Sequence, residues 1–275
     1  MTRLGVPRWW MSWCLGLWLA VGAFSIADAE TDSLYQAQTV VTGQGADNRQ
    51  VGFAACLEDV LIKVSGAFQL SGDPRLAPLK ARAAEFVTRF DYHDQMSGKP
   101  KRDEQGTRDR PYDLTVMFDR PKIDDLLVGL HVKPWLARRP TMAAMIVMTP
   151  GGRSYAVVSD GRQSDLQRDA LYAAAGKRGL DVVLPNSSAV ANVGFDGIDL
   201  IQATPAALTA HMPAADVQLF GHLTWDDAEL AWSTQWRLEN AGKSHRWQFR
   251  GVTFDEAFRR ALGGAAQILS DNGSP

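Results

Sequence analysis

The sequence predicts an α+β fold in two units, and three patterns predict it. Between Asn48 and Val64 apolar residues return at helical spacing, as Phe53, Leu57, Val60, Leu61 and Val64, the single stripe of a helix laid on a sheet. From Tyr112 to Asp119, and again from Val217 to Phe249, apolar and polar residues alternate, which is the period of half-buried strands. Between Met142 and Leu184 an apolar run, a helical run and a second apolar run follow one another, the order of a βαβ unit with a right-handed crossover. The expected architecture is a small α+β unit over residues 30–133, then a mixed-sheet unit over 140–275 with one βαβ, a three-strand antiparallel meander and a closing helix.

Each element has a local reason. Leu34–Thr42 reads as a strand with Tyr35, Ala37, Thr39 and Val41 on one face, and Gly43-Gln44-Gly45 breaks it. The helix over 48–64 ends at Gly66. Pro74 opens a weaker helix that runs to Val87. Phe86–Tyr92 turns extended. Residues 94–111 carry Gly98, Pro100 and Gly106 among Lys99, Lys101, Arg102, Asp103, Glu104, Arg108, Asp109 and Arg110, without apolar period, so they read as a mobile solvated loop. A strand over 112–119 and a short helix over 123–132 complete the first unit. Pro134–Pro140, with Trp135 and the pair Arg138-Arg139, is the boundary.

In the second unit Met142–Met148 is apolar on both faces, hence a buried strand, and Tyr155–Val158 pairs back on it. Ser164-Asp165-Leu166-Gln167 reads as a capping box for a helix that stops at Lys177-Arg178-Gly179. Leu180–Leu184 is the parallel partner strand, and a short helix lies near Pro205–His211. Three alternating strands follow, with turns at Trp225-Asp226-Asp227 and Asn240-Ala241-Gly242. Thr253-Phe254-Asp255-Glu256 caps a last helix with Phe254, Phe258, Leu262, Ala265 and Leu269 inward and Asp255 and Arg259 outward.

Ahead of both units stands a secretory layout. Arg3 and Arg8 precede an uncharged run from Trp9 to Ile26, and Ala27-Asp28-Ala29 offers a cleavage site. The expectation is a signal peptide over 1–29, cut after Ala29, delivering the rest to a periplasm. The alternative is an uncleaved inner-membrane anchor through 9–26. Met11-Ser12-Trp13 before Cys14 lacks the small residues of a lipid-modified cysteine, and no twin-arginine pair is present. Cleavage leaves Cys56 as the sole thiol, unable to form an internal disulfide, and moves the net charge from −2 to −3. Such a chain does not advertise nucleic-acid binding, and no stable membrane span is expected once the signal is cut.

Five segments have a familiar order: Leu57–Gly66 (LEDVLIKVSG), Lys133–Pro140 (KPWLARRP), Arg178–Pro185 (RGLDVVLP), Val217–Trp225 and Trp247–Leu262. Together they resemble the exported proteobacterial family known as domain of unknown function 2066. That resemblance implies a Gram-negative envelope protein and carries no catalytic residue, substrate or cofactor.

The residues point to chemistry weakly. There is no nucleophile elbow, zinc-helix motif or phosphate loop, so no catalytic, cofactor or metal residue is assigned. Asp91 and His93 share a strand face and could give two metal ligands, short of the three or four a tetrahedral site needs. Arg138 and Arg139 could grip a carboxylate or phosphate, but adjacent arginines in a proline-flanked linker read first as solvated or packed between the units. Trp225, Trp232, Trp236 and Trp247 share one sheet face. Burial beneath the last helix outweighs exposure for a patch that large, with Trp225, beside a turn, the expected exception. The functional expectation is a non-enzymatic protein that binds an envelope protein or cell-wall component, through the charged loop or a cleft between the units. Two alternatives stand beside it: a periplasmic hydrolase drawing on Asp91, His93, Asp226 or Asp227, and a glycan binder using the tryptophan face.

Overall fold

The computed structural model describes residues 32–98, 102–103, 106–107, 109–196 and 199–275. The proposed signal segment lies outside the described residues. The described residues form an α+β fold, with a three-stranded and a six-stranded sheet, a two-stranded ladder, and separate cores for the two larger sheets.

The first unit is a three-stranded antiparallel sheet in the order β1 (Gln36–Thr42), β5 (Pro111–Phe118), β2 (Val87–Asp94). Helix α1 (Ala46–Ser65) runs back along β1 and lays Phe53, Leu57, Val60, Leu61 and Val64 on Tyr35, Ala37, Val41, Leu114 and Val116. It ends at Gly66, whose φ of 73° lies in the left-handed region that glycine enters at no steric cost. The helix expected over 74–87 is broken. Pro74–Leu76 is a 3₁₀ turn, α2 covers only Ala77–Ala81, and Ala83–Phe86 is again 3₁₀. Pro78, which has no N–H to continue a helix, sits in the first turn of α2 and forces that restart. Helix α3 (Arg120–Gly129) closes the unit, capped by the Asp119 side chain.

Within the charged loop, β3 (Arg102–Asp103) and β4 (Gly106–Thr107) pair as a small antiparallel ladder. Its C-terminal end is tied down. Arg110 is buried, its Nη1 donates to Asp94 at 2.7 Å, and its carbonyl accepts from Gly43. Residues 99–101, 104–105 and 108 of the loop lie outside the described residues.

The second unit is one six-stranded mixed sheet. β6 (Thr141–Thr149), buried on both faces, pairs in parallel with β9 (Val217–Asp226) on one side. On the other side it meets β8 (Asp181–Val183) in parallel and β7 (Tyr155–Ala156) antiparallel. The meander continues outward through β10 (Ala231–Asn240) to the edge strand β11 (Lys243–Val252). Helices α4 (Asp165–Arg178) and α7 (Phe254–Leu269) cover one face. The segment with α5 (Ser187–Val190) and α6 (Pro205–Thr209) covers part of the other, through Val190, Leu200, Ile201 and Leu208 against Met145, Val147 and Phe220. Among the described residues no helix is long and apolar enough to cross a membrane.

Two expected caps differ. Thr253 does cap α7, accepting from the Glu256 N–H. Ser164 does not cap α4: its hydroxyl accepts from the Val158 N–H instead, because a 3₁₀ turn at Arg162–Ser164 leads into the helix and turns the side chain inward. On α7, Arg259 pairs with Glu256 rather than Asp255.

Candidate functional site: a cleft between the two units

The units meet at the C-terminal end of α1. The last carbonyls of a helix lack intrahelical partners, and here the Gly66 cap satisfies one and distant parts of the chain the other three. Ile62 accepts from the Gly66 N–H, Lys63 from Arg139 Nη2 at 2.5 Å, Val64 from the Trp135 N–H at 2.7 Å, and Ser65 from Asn272 Nδ2 at 2.8 Å. Arg139 also donates to the Arg178 carbonyl at the end of α4 and lies 4.4 Å from the Trp135 ring centre. Its neighbour Arg138 points outward, 77% exposed, and pairs loosely with Asp216 at 3.3 Å. Adjacent in sequence, the two arginines have opposite fates. Arg139 is consumed by the junction; Arg138 is a surface charge.

Beside this junction lies a cleft of about 380 Å³ lined by Gln36, Gln38 and Thr115 of the first sheet, Asp59 and Lys63 of α1, and Gly176 and Lys177 of α4. Lys63 Nζ donates to the carbonyls of Ser33 at 3.2 Å and Gln36 at 2.6 Å. Burial pulls its ammonium down to about 8; Asp59 opposes that shift, and Arg139 adds to it. Asp59 is shared between Lys177 at 3.4 Å and Arg178 at 3.5 Å. Arg178 is itself buried, 5.3 Å from the Phe68 ring centre, and burial lowers its pKa. Cations outnumber carboxylates on these walls, so the cleft favours a negatively charged or strongly hydrogen-bonding occupant.

The other singled-out residues are not gathered there. Asp91 and His93 lie exposed on β2, opposite Thr115 and Asp113. Among the described residues no group of three or more His, Cys, Asp or Glu could hold a metal ion. Asp226 accepts from the N–H groups of Ala228 and Glu229, and Asp227 from Trp225 Nε1, so both carboxylates shape the β9–β10 turn. His222 and His245 are separated by β10; His222 bonds to Thr149, and burial lowers its pKa. Cys56 is fully buried in the first core, which pushes its thiol up to about 12, the state of an inert thiol.

The tryptophan face is filled by α7. Trp236 and Trp232 are buried, Trp236 edge-on to Phe258 at 6.3 Å, while Trp225 and Trp247 are partly covered. Gly221 opposite Trp236 makes the fit possible: a Cβ there would lie 2.2 Å from the indole.

Sequence reading passed over Asp59, Lys63 and Lys177. The i, i+4 spacing of Asp59 and Lys63 was visible, but a charged pair on the polar side of a helix looks the same whether it faces water or a cleft.

Residues 29–136 match a family described as Domain of unknown function (DUF8605). This corrects the resemblance to domain of unknown function 2066: the matching family is a different one, and it too is of unknown function. The reason is physical. Four of the five quoted segments are helix ends and strands, whose apolar period and glycine or proline stops recur wherever such elements are built, and the fifth, Lys133–Pro140, is the linker between the units. No curated protein and no solved structure matches the chain.

Proposed function

We propose that this protein is a non-enzymatic binding protein of the bacterial cell envelope and that it holds another envelope component in the cleft between its two units. The observation that carries this reading is the cleft itself, where Lys63, Lys177 and Asp59 from two separate units surround a polar cavity of about 380 Å³. The basic, apolar and small-residue layout of positions 1–29 supports export. The burial of Trp232 and Trp236 beneath α7 favours this reading over a glycan binder stacking on that face.

The test is site-specific photo-crosslinking in living cells. A photoreactive residue at Gln38 or Lys177 is expected to give a discrete adduct with an envelope protein or cell-wall component in the periplasmic fraction. The same residue at Leu230, exposed at the far tip of the β9–β10 hairpin, is expected to give none. Absence of any adduct from the cleft positions, or recovery of the protein in the cytosol, overturns the reading.

A further inference from the structure

The cleft has a floor with a directional chemistry of its own. β1 pairs only with β5, and its other edge pairs with no described strand. In an antiparallel ladder, alternate residues turn N–H and C=O towards the partner and the residues between turn them away. The Tyr35 carbonyl accepts from Phe118, and the Gly43 N–H donates to Arg110. Odd-numbered residues of β1 therefore face β5. Gln36, Gln38, Val40 and Thr42 face the open edge.

Both ends of that edge are already closed by helix α1. Lys63 Nζ covers the Gln36 carbonyl and Asn48 Nδ2 covers the Thr42 carbonyl. The N–H and C=O groups of Gln38 and Val40, between those caps, pair with no described strand; Gln38 lines the cleft and Val40 continues the edge beyond it. Asn48, Val51, Ala55, Asp59 and Lys63 form one stripe of α1 by helical spacing, and the two caps place that stripe above the edge. The result is a trough of one strand's length. Val40 and Val51 are exposed apolar residues, 58% and 68% accessible, near one end, Val51 on the α1 side of the edge and Val40, by strand alternation, on the opposite face, and Lys63 and Lys177 stand at the other. Two of the three Lys63 ammonium protons are used by backbone carbonyls, which leaves one for an incoming acceptor.

We propose that β1 is a strand-addition site: an extended segment of a partner protein, with an apolar side chain at the Val40–Val51 end and a carboxylate at the Lys63–Lys177 end, pairs with the backbone of Gln38 and Val40. The inference rests on the envelope-binding reading and gives that reading its partner chemistry. Exposed strand edges are templates for this pairing. The α1 caps limit the template to a short segment, and the lysines select an acidic one.

The probe is a phage-displayed library of short linear peptides panned against the full chain, with the selected peptides then synthesised. They are expected to combine an apolar and an acidic residue and to slow amide exchange at Gln38 and Val40. Val40→Pro removes an N–H that faces only the open edge, so the ladder to β5 survives. It is expected to weaken peptide binding about tenfold or more, the loss of one or two edge hydrogen bonds, with the melting temperature held near that of the wild type. Backbone N-methylation at alternate peptide positions is expected to abolish binding, while methylation at the intervening positions is tolerated; this series decides the matter on the wild-type protein even if Val40→Pro fails to fold. Failure to select any peptide overturns the proposal. So does binding indifferent to Val40→Pro and N-methylation, or a dimer of the chain that Val40→Pro dissolves. Were the crosslinking adduct still to form after such a result, strand addition would fall while envelope binding stood; with no adduct, both would fall.

Discussion

Arg139 and Arg138 show at the residue scale that composition does not assign a role; the neighbours do. Arg139 feeds two helix-end carbonyls and stacks on Trp135. Arg139→Ala is therefore expected to cost about 3 kcal/mol, by losing charge-assisted hydrogen bonds and the ring contact, and Arg138→Ala almost nothing, as read by urea unfolding. Gly221→Ala forces a methyl into the Trp236 ring and is expected to cost about 2 kcal/mol or more, the range for overpacked cores. Lys63 offers a pH test. Its folded pKa of about 8 lies below its ordinary 10.5, so the unfolded chain binds the extra proton between those values. The stability handicap from its buried charge is full below pH 8 and is relieved as pH rises towards 10.5. The stability difference between wild type and Lys63→Met should accordingly shift in favour of wild type across that window; a flat difference refutes the burial of this charge.

Among the elements, the ends matter more than the middles. The α7 stripe was legible from Phe254, Phe258, Leu262 and Ala265, and so was its Thr253 cap, because both depend on residues within a turn of one another. Thr253→Ala should cost about 1 kcal/mol. Ser164 looked equally like a cap, but its hydroxyl is held by the Val158 N–H, a contact set by how β7 leads into α4. Ser164→Ala is expected to leave that buried N–H unpaired and to destabilise by about 1–3 kcal/mol, while helix content by circular dichroism stays unchanged. The tryptophan face had two readings from alternation alone, since a strand pattern gives the same face to core and to solvent. The packing of α7 decides it, and acrylamide should quench Trp225 while sparing Trp236.

For the whole molecule, the core of the first unit is separate from those on the two faces of the second sheet, but the junction is shared. Gln69 N–H donates to Gln267, and Asn272 reaches both Ser65 and Lys133, so the end of the chain fastens α1 to the second unit. Unfolding of the described body is expected to be a single calorimetric transition, with Arg139→Ala or Asn272→Ala separating it into two. A wild-type protein that already unfolds in two steps would show the junction to be too weak to couple the cores.

From the sequence by itself came the α+β class, the main strands and the long helices in their order, the parallel βαβ pairing and the meander, but not the broken run at 74–87, the β3–β4 ladder or the short helix over 187–190. The legible features follow from periods of two and 3.6 residues, which backbone geometry imposes over a few neighbours at a time. The packing of the two units is what makes Arg139 a clamp, brings Lys63 and Lys177 to one cleft and leaves one edge of β1 without a partner among the described strands. Arg139 meets Lys63 across 76 positions and Asn272 meets Ser65 across 207. No local period encodes contacts at such separations; they arise when two packed layers bring helix ends together and leave unpaired carbonyls that must find donors.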